Sequence, residues 1–313
     1  MKSPGLSDQL MYSSYFAPRG RNRMYILGQQ LSGRYLSPLD RLIGIIGESG
    51  AGKSSLVRGM FPGLELTNDD DGVNIRPLPL LKNIDKGFFS SHTYHVDIRF
   101  ELAFTQIHVL AEAVQKALAQ EKRVIVEHFD LLYPVLGRNA DVLLGVGGEV
   151  IVVRPTVFGP FPKELIEVVT KTLRYRKMAH TAEDLTARIL VNDYQAFLPF
   201  SHRDVHHGFV LEYPIELDAD LREVEKKVRA MIDDGVDICY ADETHIRIGT
   251  DMWSCSGPRT HVKNTEDIEN FRLLYEYKYD PKTKSFLIIG LVGTLKDDLD
   301  GFAGLTLMAS GHC

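Results

Sequence analysis

Cysteine is scarce in this chain: Cys239, Cys255 and Cys313 are the only three in 313 residues. An odd count without framework spacing argues against a disulfide-stapled secreted scaffold and points to a reducing compartment. Long apolar runs are missing too. No stretch approaches the ~20 residues needed to cross a bilayer. The opening "MKSPGLSDQLMYSSYFAPRG" lacks the continuous apolar core of a signal peptide. The expected compartment is the cytoplasm, with no membrane partner. Charge of one sign is lacking as well: 36 Lys and Arg against 42 Asp and Glu give a formal net charge of −6. That balance speaks against broad, non-specific nucleic-acid binding and leaves room only for a local basic groove.

What is present is the composition of a globular protein, 44% hydrophobic and 25% charged, long enough for two domains. The chain reads as an N-terminal arm (1–38), an α/β nucleotide-binding domain (39–160) and an α+β segment (161–313). Arg19, Arg21, Arg23 and Arg34 cluster in the arm with few acids nearby. They suit either a basic groove or, more simply, a solvated and partly disordered tail.

In the second region "RLIGIIG" is a short apolar run ending in glycine, as a buried parallel strand does. "KSSLVRGMF" reads as a helix, "GLELTNDDDG" as a second strand running into an acidic turn, and "TYHVDIRF", "RVIVEHFD" and "EVIVVRP" as further strands. Ala103, Ile107, Leu110, Val114 and Leu118 recur at helical spacing. Strands alternating with helices predict a mostly parallel sheet.

The strongest motif is "GESGAGKSS", comprising Gly47, Glu48, Ser49, Gly50, Ala51, Gly52, Lys53, Ser54 and Ser55. It satisfies G-x-x-x-x-G-K-[ST] between an apolar strand and a helix, where backbone N–H groups converge on phosphate oxygens. Lys53 suits the β- and γ-phosphates of ATP or GTP, and Ser54 suits Mg²⁺. Phosphoryl transfer also needs a carboxylate near the metal. Glu127 and Asp130 stand where such an acid belongs. Asp69, Asp70 and Asp71 follow the expected second strand, where an acceptor-activating base belongs; a solvated turn explains that run equally well. Over residues 41–155 the chain resembles the uridine kinase/phosphoribulokinase branch of P-loop kinases, through the P-loop and "VIVEHFD". The resemblance implies a P-loop α/β domain with Lys53, Asp70 and Glu127 in the catalytic roles. No arginine-rich lid, ABC signature or GTPase base-specificity motif accompanies it.

The C-terminal region reads as helix ("GPFPKELIEVVTKTLRYRK"), helix ("HTAEDLTARILVND"), an amphipathic helix in "DADLREVEKKVRAMIDDG" capped by Asp218, and two strands around "DPKTK". "HTAEDL", "HHGFVLEYPIELDADLREVEKKVRAMI" and "CSGPRTHVKNTEDIENFRLL" are similar to the second additional domain of threonyl- and alanyl-tRNA synthetases, over residues 174–295. In that family an H-x-x-x-H helix and a C-x-x-x-H loop build a zinc-dependent site that hydrolyses mischarged aminoacyl-tRNA. The resemblance puts His180 at the first histidine, Asp184 at the second, Cys255 at the cysteine, and His261 at the last histidine with two residues inserted. A His/Asp/Cys/His set is chemically able to hold Zn²⁺. Against it, Thr181 and Asp184 have the spacing of a capping box, which would occupy the carboxylate. His202, His206 and His207 lie in "SHRDVHHGF", where adjacent histidines on a strand face opposite sides. Arg259 lies in the widened loop, where it could meet phosphate.

Three functions follow as expectations. The first is a nucleotide-binding phosphotransferase or NTPase acting on a nucleoside or tRNA-related ligand. The second is a metal-dependent aminoacyl-tRNA deacylase. The third is a non-catalytic, nucleotide-switched module that binds tRNA or an amino acid.

Overall fold

The computed structural model describes residues 12–67, 78–85, 88–197 and 200–293. Packing divides the chain into two units, Met1–Ala17 with Arg21–Lys171, and Pro18–Gly20 with Thr172–Cys313. It is a mixed α/β structure. Among the described residues no helix is long and apolar enough to cross a membrane.

The first unit contains β1 (Ser13–Phe16), α1 (Arg21–Tyr35), β2 (Leu42–Ile46), α2 (Lys53–Met60), α3 (Pro79–Asp85), β3 (Thr93–Asp97), α4 (Ile98–Glu101), α5 (Ile107–Ala119), β4 (Arg123–Glu127), α6 (Phe129–Leu136), β5 (Val142–Val146) and β6 (Glu149–Val153). Its sheet has the order β1-β6-β5-β2-β4-β3. The four strands β5, β2, β4 and β3 run parallel. β6 and β1 run antiparallel to their neighbours, so the sheet is mixed rather than mostly parallel throughout. The cause is local. Only Gly147 and Gly148 separate β5 from β6, too short a link for a crossover but suited to a hairpin.

The central strands are buried along their whole length, which explains their uninterrupted apolar sequences. Leu110, Val114 and Ala117 of α5 and Phe129 and Leu132 of α6 fill the core beside them. Two expectations are corrected. From residue 13 the arm is structured rather than a solvated tail, with β1 paired to β6 and α1 burying Met24, Leu27 and Leu31. Residues 64–67 lie in no strand, and Asp69, Asp70 and Asp71 fall outside the described residues. β5 pairs with β2 on the side away from β4.

α7 (Pro162–Tyr194) supplies residues to both units. It is one helix of 33 residues, not two. No glycine or later proline interrupts it, and Thr181 lies mid-helix, its hydroxyl bonded to the Lys177 carbonyl one turn back. Thr181 is therefore no cap, and the capping-box explanation of Asp184 falls.

The second unit adds β7 (Ser201–Val205), β8 (Gly208–Tyr213), α8 (Leu221–Asp233), β9 (Ile238–Asp242), β10 (His245–Ile248), β11 (Asp251–Ser254), β12 (Arg272–Leu273), β13 (Lys278–Asp280) and β14 (Ser285–Leu291). One antiparallel sheet has the order β12-β14-β8-β7, with β13 on β14; a second has the order β11-β10-β9. Asp220, not Asp218, caps α8 by accepting the Arg222 N–H. Leu221, Val224 and Val228 then face the core with Leu185, Phe209, Ile246, Phe271 and Ile288. The expected strands around "DPKTK" are β13 and β14.

α1 and α2 meet through glycines, where a Cβ on Gly59 would lie 2.0 Å from the Tyr25 carbonyl oxygen. Helix propensity alone favours alanine by roughly 0.5–1 kcal/mol. The backbone overlap should outweigh that gain, since overpacking costs ~1–3 kcal/mol. Gly59→Ala is expected to lower the thermal midpoint of the first unit; an unchanged or raised midpoint would refute the close helix approach.

Candidate functional site

The first unit gathers its polar side chains where β2, β3 and β4 end. β2 is followed by the Gly47–Ser55 loop and α2. Gly47 has φ 153°, and a Cβ there would lie 2.4 Å from the Val146 carbonyl oxygen. Gly52, with φ 101°, precedes α2 in the left-handed region. These two positions require glycine for different reasons, one steric and one torsional. Lys53 Nζ donates to the Glu48 carbonyl at 2.9 Å and stands 3.9 Å from Glu127 Oε2. Ser54 Oγ donates to Glu127 Oε1 at 3.2 Å.

Glu127 ends β4, and His95 of β3 lies 3.1 Å from its Oε1 through Nε2. The Thr67 N–H points at His95 Nδ1 at 3.2 Å. Nδ1 must therefore accept, which leaves Nε2–H to donate to the carboxylate. Burial alone would raise Glu127; His95, Lys53 and Ser54 outweigh it and hold the carboxyl below its ordinary value. Asp97, in register with Glu127, ends β3 and accepts the Phe100 N–H with Oδ1. Burial, then the Glu127 charge, raises its pKa. Burial also raises Asp130. Lys53, Ser54 and Glu127 thus come together as the sequence suggested. Asp97 and His95 were missed, although both stand in the anticipated strand "TYHVDIRF".

The second unit brings Asp184, Cys255 and His261 together, with one donor atom of each within 4.8 Å of the others. Asp184 comes from α7, Cys255 from the end of β11 and His261 from the loop beyond. Cys255 Sγ lies 3.2 Å from His261 Nε2, which lies 3.6 Å from Asp184 Oδ2. The Thr181 hydroxyl hydrogen is committed to Lys177, so the hydroxyl oxygen accepts His261 Nδ1–H at 3.2 Å. His261 Nε2 is then the acceptor facing the thiol. His180 does not join the three; its Nε2 lies 3.9 Å from Asp204 Oδ1, and its ring centre 6.3 Å from that of His261.

The residue that organises this site is Arg19, delivered by Pro18–Gly20 and only 2% exposed. Nη1 donates to Glu183 Oε2 at 2.7 Å. Nη2 makes a short bond to Asp184 Oδ2 and lies 3.0 Å from Cys255 Sγ. Burial would lower the Arg19 pKa, but Asp184 and Glu183 outweigh it and keep the group charged. His202 Nδ1 makes a short contact with the other oxygen of Glu183. Burial pushes the Cys255 thiol up to about 11 and the His261 ring down to about 4.

These donors test the expected zinc site. Four-coordinate zinc with bonds of about 2.0–2.3 Å spaces its ligands roughly 3.3–3.8 Å apart, and the observed separations are close to that. The charge is another matter. Asp184 Oδ2 and Cys255 Sγ already accept from one guanidinium nitrogen, so a positive charge stands against both donors before any ion arrives. The set as arranged does not fit a metal.

The remaining candidates sit elsewhere. His206 and His207 form a hairpin turn rather than a strand, and His207 stacks on Tyr175 at 3.9 Å. Arg259 pairs with Glu243 at 3.1 Å and covers the Tyr240 ring. Arg19 carried no sequence signal for this role, being 164 and 165 residues from its carboxylate partners. No protein-family model and no curated protein matches this chain.

Two outcomes follow. Arg19→Met leaves Glu183 and Asp184 buried without their counter-charge, which is expected to destabilise the second unit by ~3–5 kcal/mol. Trp253, the single tryptophan, packs against that unit's core and reports the urea transition; an unshifted midpoint would rule the pairing out. In the first unit, burial and then Lys53 lower His128 from 6.5 to about 4. The unfolded chain therefore binds this proton first, so stability falls as pH drops from 6.5 to about 4 and levels off below. His128→Asn, tolerated at φ 55°, should flatten that part of the profile measured by circular dichroism.

Proposed function

We propose that the chain is a nucleotide-dependent phosphotransferase, its first unit a P-loop domain of the kinase type and its second a relative of the synthetase editing module. The observation that carries this reading is the convergence of Lys53, Ser54 and Glu127 at the ends of the adjacent parallel strands β2 and β4. Lys53 is suited to the β- and γ-phosphates. Ser54 and Glu127 are suited to Mg²⁺, either directly or through its water. ATP and GTP are both compatible with these groups.

The strand order supports the same edge as the site. From β2 the chain crosses past β4 to the edge strand β3, whereas from β4 it crosses back past β2 to β5. Crossovers that leave adjacent parallel strands in opposite directions open a crevice beyond the strand ends, the usual ligand position in such sheets. The acceptor base is assigned to Asp97. Its raised pKa and its place beside Glu127 suit proton removal from a hydroxyl. The acceptor is a nucleoside or a tRNA-related hydroxyl in this reading.

The deacylase alternative is favoured by one observation, the convergence of Asp184, Cys255 and His261. The Arg19 guanidinium weighs against it, because it engages two of the three donors.

The test is Mg-nucleotide turnover against a panel of nucleosides. Lys53→Ala is expected to abolish nucleotide binding. Asp97→Asn should retain nucleotide binding while lowering acceptor-dependent kcat by about 10²–10⁴-fold. Nucleotide binding without turnover or phosphorylated product would overturn the transferase and favour the non-catalytic switch.

A further inference from the structure

Donors gathered this closely suit a cation, and one already stands among them. We propose that Arg19 is the resident cation of the Asp184–Cys255–His261 cluster, so that the second unit holds a guanidinium in place of a divalent metal. The proposal is independent of the nucleotide reading of the first unit.

The geometry of one atom carries it. Arg19 Nη2 is bonded to Asp184 Oδ2 and lies 3.0 Å from Cys255 Sγ, so a positive charge already faces the oxygen and the sulfur that a metal would need. Nη1 is spent on Glu183 at 2.7 Å, which fixes the plane of the guanidinium. The Glu183 carboxylate is held from its far side by His202. A fork that donates to two carboxylates at once is something arginine does and lysine does not.

The backbone is fitted to this arrangement as well. The Arg19 N–H donates to Asp204 Oδ1 at 3.2 Å, and Arg176 Nη2 donates to the Pro18 carbonyl at 3.0 Å. Gly257, inside the widened loop, leaves room for the arginine stem: a Cβ there would meet Arg19 Cγ at 3.1 Å. The Gly257 N–H also points at Cys255 Sγ, at 3.3 Å. The two extra residues of "CSGPRTH" and the carboxylate at position 184 thus have a common explanation. The loop passes around an arginine, and the residue facing it is an acid that a guanidinium can bind. A histidine at 184 would present a ring in place of a carboxylate and would supply no negative charge to match the guanidinium.

The experiment uses the full chain. Wild type is purified, exposed to excess Zn²⁺, dialysed and analysed for metal; Co²⁺ is then titrated while the thiolate-to-cobalt charge-transfer band is followed. Wild type is expected to retain no stoichiometric zinc, to show no such band, and to unfold at the same temperature with or without Zn²⁺. Arg19→Met is expected to gain one Co²⁺ per chain with the band, to lose the band again in Arg19→Met/Cys255→Ser, and to be stabilised by Zn²⁺. One equivalent of zinc in wild type, with a Cys255-dependent band, would overturn the proposal. So would a folded Arg19→Met that binds no cobalt. Should that variant not fold, the wild-type arms decide alone: an unmoved midpoint without bound metal upholds the proposal, and a bound metal ends it.

Discussion

A charge taken out of water must be matched on the spot, and that constraint shapes the polar centre of each unit. In the first the buried charge is Glu127, met by the His95 ring, the Ser54 hydroxyl and, farther off, the Lys53 ammonium. In the second it is Arg19, met by Glu183 and Asp184. An unmatched charge in either place would cost several kcal/mol. The matching groups are therefore held to defined positions by strands and helix turns rather than left to mobile loops. The consequence is preorganisation. Lys53, Ser54 and Glu127 are brought within bonding range by the pairing of β2 with β4.

The two centres differ in what that order is good for. Around Glu127 the partners are a hydroxyl, an imidazole and a flexible amine, and the hydroxyl and the amine are able to exchange their interactions for ones with a hydrated cation or a phosphate. His95 is fixed by the Thr67 N–H on its other nitrogen, so it orients the carboxylate without competing for a ligand. Around Arg19 the partners are two carboxylates at fixed spacing, and the guanidinium satisfies both. The first arrangement has interactions to give away; the second is already closed.

What could be read from the sequence was what depends on near neighbours. The strand–loop–helix around "GESGAGKSS" was legible because the glycines, the lysine and the apolar run all act within about ten residues. So was the apolar face of α8, and so were the two strands at "DPKTK". The errors arose where two local signals compete. Thr181 and Asp184 have the spacing of a cap, but a helix already established from Pro162 needs none there, and its hydroxyl turns back to Lys177. Asp218 and Asp220 are both plausible caps two residues apart, and only the direction of entry into α8 chooses Asp220. The mixed sheet was missed because the Gly147–Gly148 link was not taken as a hairpin.

Arg19 belongs to another class, and it shows why donor identity alone is a poor guide to a metal site. Asp184, Cys255 and His261 could all be nominated from the chain, and they do converge. Whether convergence means a metal depends on which protons and lone pairs remain after every other neighbour is counted. Here the Thr181 hydroxyl sets the His261 tautomer, and a guanidinium supplied from more than 160 residues away already faces the carboxylate and the sulfur. Ligand type and spacing are written in the sequence; occupancy of the lone pairs is written only in three dimensions. Glu127 differs in the charge beside it: Oε1 accepts from the Ser54 hydroxyl and the His95 ring, and the cation facing Oε2 is an amine 3.9 Å away rather than a bonded guanidinium. Its neighbours orient it and leave Oε2 open to exchange, which is the property a metal-handling carboxylate needs.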